Sequence, residues 1–88
     1  MQCFVYRSNR KEGLYIYLAE AEAFDQIPQA LRKEAGNLEL ALEFELTEHR
    51  KLGRENPRAV LANLSQQGYH VQLPPTERSL IETLDPPD

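Results

Sequence analysis

Two short runs near the start of the chain are apolar at both parities. In CFVYRS (3–8), Cys3 and Val5 oppose Phe4 and Tyr6, and in LYIYLA (14–19), Leu14, Ile16 and Leu18 oppose Tyr15 and Tyr17. Successive strand residues point to opposite faces, so strands with no polar side need cover on both faces. The polar connection NRKEG between them ends in Gly13, which can take the positive φ that a short hairpin loop often needs, and the pair predicts a β-hairpin.

Further along, Phe24, Ile27 and Leu31 recur at spacings of three and four. Pro28 suits a first helical turn, Arg32 and Lys33 fall near the negative end of the helix dipole, and Gly36 follows as a cap, so a short helix is predicted. In LELALEFEL (38–46) two rules disagree. Leucine, alanine and glutamate favour helix, but Leu38, Leu40, Leu42, Phe44 and Leu46 alternate strictly with Glu39, Ala41, Glu43 and Glu45. Alternation would scatter these apolar side chains around a helix and gathers them on one face of a strand, so the segment is predicted as a strand with one wet face. The carboxylates on that face would discourage edge-to-edge aggregation.

After the polar connection TEHRKLGREN (47–56), Asn56 is placed as an N-cap with Pro57 at the first helical position. Val60, Leu61 and Leu64 form one apolar stripe, and Gly68 closes the helix. YHVQL (69–73) alternates as a strand, with Tyr69, Val71 and Leu73 opposite His70 and Gln72. Pro74 and Pro75 cannot donate to a ladder and end it. Thr76 can cap a last helix carrying Leu80, Ile81 and Leu84. The predicted order is ββαβαβα: an α/β chain in which a four-stranded sheet carries helices on both faces, a small α/β/α sandwich. One domain spans 1–85, with a Pro-rich tail at 86–88.

Composition narrows the function. The 88 residues allow one core, since a chain of this size buries only ~60–65% of its unfolded surface. A hydrophobic fraction of 41% and a charged fraction of 27% fit a soluble globular domain. No apolar run nears the ~18 residues needed to cross a bilayer, and no secretory signal is visible, so a cytoplasmic location and no membrane partner are expected. The single Cys3 agrees with a reducing compartment and reads as an inert packing residue.

Catalytic patterns are lacking in the sequence. Nothing in the predicted elements brings Ser8, Ser65 or Ser79 to His49 or His70, no ligand pair has the close spacing of a zinc site, and the four isolated glycines make no phosphate loop. Glu43 and Glu45, about 7 Å apart on one strand face, read as a solvated surface rather than an acid–base pair. No catalytic residue, metal or cofactor is therefore assigned.

The bases are more informative. Net charge is −4, yet Arg7, Arg10 and Lys11 cluster at the hairpin and Arg50, Lys51 and Arg54 in the second polar connection. Were the two segments to meet at one end of the sheet, they would form a cationic rim backed by tyrosines, the ingredients of single-strand binding. Charged loop tips are also ordinary, and Glu12, Glu48 and Glu55 sit among these bases.

The stretches CFVYRS, FDQIPQAL, RKLGR and, above all, LSQQGYHVQLPP resemble the YcgL family of small bacterial proteins. The resemblance spans about residues 2–75. Its most specific part is the pattern Gly68, Tyr69, Gln72, Leu73, Pro74, Pro75, supported by Tyr6, Arg7 and Ser8, while His70 departs from it. It implies an α/β/α sandwich and no established activity.

The leading reading is a non-catalytic binding or adaptor module with a contact surface of Arg7, Arg10, Lys11, Arg50, Lys51, Arg54 and Gln72. Two alternatives stand beside it: an RNA-binding accessory protein using the basic hairpin and the 49–54 loop, with no DNA signature, and a small enzyme with a site near Arg7 and His70.

Overall fold

A computed structural model describes residues 1–53 and 55–74. The expected last helix, from Thr76 with Leu80, Ile81 and Leu84, lies outside the described residues, as do Arg54, Pro75 and the 86–88 tail. Strands β1 (Gln2–Ser8), β2 (Tyr15–Leu18), β3 (Leu38–Glu45) and β4 (Tyr69–Gln72) form one four-stranded sheet, with helix α1 (Gln29–Ala35) before β3 and helix α2 (Pro57–Gln67) before β4. The spatial order is β3-β1-β2-β4, and every neighbouring pair is antiparallel. The fold is therefore α/β, with the hairpin strands central and β3 and β4 outside.

Central position explains the two-sided apolar strands. Cys3, Val5, Tyr17, Phe44 and Leu46 pack with Val60 and Leu64 of α2. Tyr6, Leu14, Ile16 and Leu18 pack with Ile27 and with Ala35 of α1. Leu14, Ile16, Leu18 and Val60 are all at most 1% exposed, and removing each aliphatic side chain from water contributes about 1.5–3 kcal/mol. The hairpin tyrosines follow the same logic. Tyr6 and Tyr17 are buried, and Tyr15 is half-buried.

The predicted first helix is divided. Phe24–Gln26 form a 3₁₀ turn, Ile27 and Pro28 are extended, and α1 begins at Gln29. Pro28 thus precedes the helix at its N-cap rather than entering the first turn, its ψ of 142° being incompatible with helix. The second helix follows its signals: Asn56 Oδ1 accepts from the Arg58 N–H at 2.9 Å, and Gly68 ends α2 at φ 87°. A side chain at Gly68 would be strained at this φ and would run into Gln26, its Cβ landing 2.5 Å from Oε1.

The expected single wet face of β3 does not form. Val5 pairs with Leu42 but Tyr6 with Leu40, so Ala41 is an extra residue, a β-bulge that reverses the parity of the strand. Leu38 and Leu40 consequently share the α1 face with Ser8 and Tyr6, whereas Leu42 and Phe44 share the α2 face with Val5 and Cys3. Perfect alternation in sequence hides a slip in register. It leaves Leu40 and Leu42 54% and 50% exposed on an edge strand. The carboxylates of β3 turn back toward the start of the chain and β1: Glu39 accepts from Arg7, Glu43 from Gln2, and Glu45 from the Met1 amine.

A groove between the sheet and the 49–53 loop

The two basic segments go to opposite sides of the sheet. At the hairpin, Ser8 Oγ donates to the Ala35 carbonyl at 2.5 Å and accepts from the Arg10 and Lys11 N–H groups at 3.2 and 2.9 Å. That turn ties the loop to the end of α1. Arg10 then donates to the Lys33 carbonyl at 2.7 Å, and Lys11 pairs with Glu34 at 3.0 Å. Arg10 and Lys11 thus cap the acceptor end of α1.

The second basic segment borders the α2 face. α2 covers one end of that face, around Cys3, Phe44, Val60 and Leu64, and leaves the row through Arg7, Tyr15 and Gln72 open. There a groove of about 480 Å³ runs from β4 to β3, floored by Val5, Tyr15, Tyr17, Leu42 and Phe44 and walled by the loop. Arg50, Lys51 and Gln72 supply its polar lining. The Arg50 guanidinium lies over the Phe44 ring, 4.5 Å from its centre, a cation–π contact that holds the charge above β3. Tyr17 donates its hydroxyl to Gln72 Oε1 at 2.6 Å, so the amide nitrogen is what Gln72 has left to offer. Arg7 stands in the same row, paired with Glu39 at 2.8 Å, and this hydrogen bond raises its pKa further.

All three polar side chains named here are donors, and among the described residues no acid lines the groove. In a chain with fourteen acidic residues that is a local reversal of charge. A larger depression of about 900 Å³ beside α1 contains Asp25 with Arg32 and Lys33, and none of the six described contact residues lines it.

Sequence reasoning missed what positions the loop. His70 is buried in β4, its Nε2 2.7 Å from Glu55 Oε1 and its Nδ1 2.9 Å from the Asn63 amide of α2. With Asn63 donating, Nδ1 accepts and Nε2 carries the proton given to Glu55. The ring also meets Tyr17 edge-on, centroids 5.4 Å apart. Glu55 pairs with Leu52 across the tight turn at Gly53, so this buried contact fixes the C-terminal foot of the loop bearing Arg50 and Lys51. The signal in sequence was a histidine at a core-facing parity, sharing a face with Gln72. Arg7 lies two strands and two residues away, about 12 Å by sheet spacing, and its guanidinium is paired with Glu39. Cys3 is buried beneath the α2 face, where loss of hydration pushes its thiol up to about 11 despite the nearby N-terminal charge.

These features define a small α/β domain with a donor-lined groove on one sheet face. Residues 3–75 match the YcgL domain, and the chain belongs to that family. It is 49% identical over 81 residues to a YcgL domain-containing protein of Thioalkalivibrio sulfidiphilus, covering 91% of this chain and all of that one. A YcgL domain-containing protein of Pseudomonas fluorescens is 43% identical over 82 residues, 93% of this chain and 84% of the relative. Another, of Mannheimia succiniciproducens, is 37% identical over 82 residues, covering 93% of this chain and 80% of the relative.

Proposed function

We propose that this YcgL-family chain is a cytoplasmic, non-catalytic binding or adaptor module: a small α/β/α sandwich that receives an anionic partner in the groove between the sheet and the 49–53 loop. The observation that carries the reading is the lining of that groove, two cations and an amide over an apolar floor with no acid among the described residues, on a chain whose net charge is negative. Burying an anion there would be favoured by Arg50 and Lys51. Of the seven contact residues expected from sequence, Arg50, Lys51 and Gln72 form the centre of this surface and Arg7 its margin. Arg10 and Lys11 are engaged by α1.

The RNA reading draws on the same cations but needs ring faces on which bases can stack. Tyr17 and Phe44 are buried, and Arg50 covers Phe44, which leaves only the half-buried Tyr15 in the groove. A protein partner is the better fit. The test is capture from cell lysate with the wild-type chain and with Arg50→Glu/Lys51→Glu, each with and without nuclease. A protein retained by the wild type after nuclease and lost by the double variant is the expected result. Equal capture by both chains would refute the groove as the contact surface, and loss on nuclease treatment would return the reading to RNA.

A further inference from the structure

The free edge of β3 adjoins the groove. Among the described residues no strand pairs with its outer side, and the bulge at Ala41 leaves one half-exposed leucine on each face of this edge, Leu40 toward α1 and Leu42 toward α2. Edge strands are ordinarily protected by charges, and β3 has three, but Glu39, Glu43 and Glu45 are drawn inward onto Arg7, Gln2 and the Met1 amine. Among the described residues, what remains at the edge is unpaired backbone flanked by apolar side chains. Arg50, stacked on Phe44 of the same strand, places a cation beside it on the groove face, with Lys51 next to it.

We infer that the partner enters as an extended polypeptide segment that adds to the outer edge of β3 as a fifth strand, its apolar side chains covering Leu40 on the α1 face and its acidic side chains lying beside Leu42 on the groove face, where they reach Arg50 and Lys51. This rests on the binding reading above and names the partner's chemistry. Backbone hydrogen bonds to β3 give such a complex its affinity, and the two cations on one face select its side chains and direction. A second copy of this chain is a poorer occupant, because the carboxylates of its β3 are already held by Arg7, Gln2 and the Met1 amine and are not available to reach Arg50 and Lys51. A nucleic acid cannot satisfy a sheet edge.

The test uses the full chain and a short peptide of alternating leucine and aspartate, blocked at both ends, with a lysine-for-aspartate peptide and oligo-uridine as the other arms. Binding of the aspartate peptide should slow amide exchange in β3 about tenfold or more, because the edge groups become hydrogen-bonded. It should also move the amide resonances of Leu40, Leu42 and Lys51. Arg50→Glu/Lys51→Glu should reverse the preference toward the lysine peptide, and Leu42→Asp should abolish binding of the aspartate peptide while circular dichroism shows the fold intact. Peptide binding that leaves β3 exchange unchanged overturns strand addition and leaves the groove standing. Failure of the aspartate peptide to bind at all, or oligo-uridine binding in its place, overturns the inference outright; the groove reading itself is judged by the lysate experiment.

Discussion

The hairpin loop and the 49–53 loop each carry an adjacent arginine and lysine, Arg10 with Lys11 and Arg50 with Lys51, and the fold puts them to opposite uses. In the hairpin, Ser8 folds the backbone of Arg10 and Lys11 onto Ala35, and the cations meet the carbonyls and Glu34 at the end of α1. Their charge is spent inside the molecule. In the second loop the anchor is Glu55, buried against His70, and the cations are carried outward over the sheet, one on Phe44 and both into the groove. What separates the two loops is where the anchor turns the cations: Ser8 folds Arg10 and Lys11 onto α1, and Glu55 holds the second loop with Arg50 and Lys51 over the open sheet face.

The strongest way to break this contrast is to remove the anchor of the second loop. His70→Ala leaves the Glu55 carboxylate buried without its imidazole, a loss that costs about 3 kcal/mol or more in buried pairs. Urea unfolding should report it together with greater mobility at Arg50 and Lys51; a cost below about 1 kcal/mol would mean that the loop is held by something else. Ser8→Ala comes next. It removes one donated and two accepted hydrogen bonds and should cost about 1–2 kcal/mol, releasing Arg10 and Lys11 from α1 while leaving the groove unchanged by amide resonances.

The α2 face beneath the groove offers a third comparison, confined to alkaline pH. Burial holds the Cys3 thiol neutral until about pH 11, against 9.0 when exposed. The unfolded chain therefore ionises first, and the stability that Cys3 contributes is complete below pH 9 and lost as pH rises toward 11. Cys3→Ala should unfold with a shallower decline over that interval, and native Cys3 should react with a thiol reagent at neutral pH far more slowly than in denaturant. An equal slope in the two proteins would place Cys3 in water. The smallest effects belong to the surface cations. Lys11→Ala and Arg50→Ala should each change stability by less than about 1 kcal/mol, yet only the second should weaken partner binding. Equal effects on binding would erase the distinction between the loops.

Much of the fold is legible in local patterns. Two strands with no polar side are the central pair of the sheet, Asn56 and Pro57 open a helix that Gly68 closes, and the resemblance carried by residues 68–75 leads to the family. Legibility fails where a side chain's meaning depends on a residue far along the chain. The alternation of 38–46 reads as one face, and a single unpaired Ala41 makes it two. His70 reads as a departure from a motif, and only its closeness to Glu55, fifteen residues away, makes it the anchor of a loop.

The sequence by itself determined the elements and their class, because capping, turn chemistry and the spacing of apolar residues act over a few neighbours and need no knowledge of the rest of the chain. Which bases are held by α1 and which line the groove, where the β3 carboxylates turn and which tyrosines meet water were decided only by tertiary structure. Each of those outcomes is a competition for hydrogen bonds and burial among groups that the sheet brings together from as many as 55 positions apart, as Tyr17 and Gln72 are.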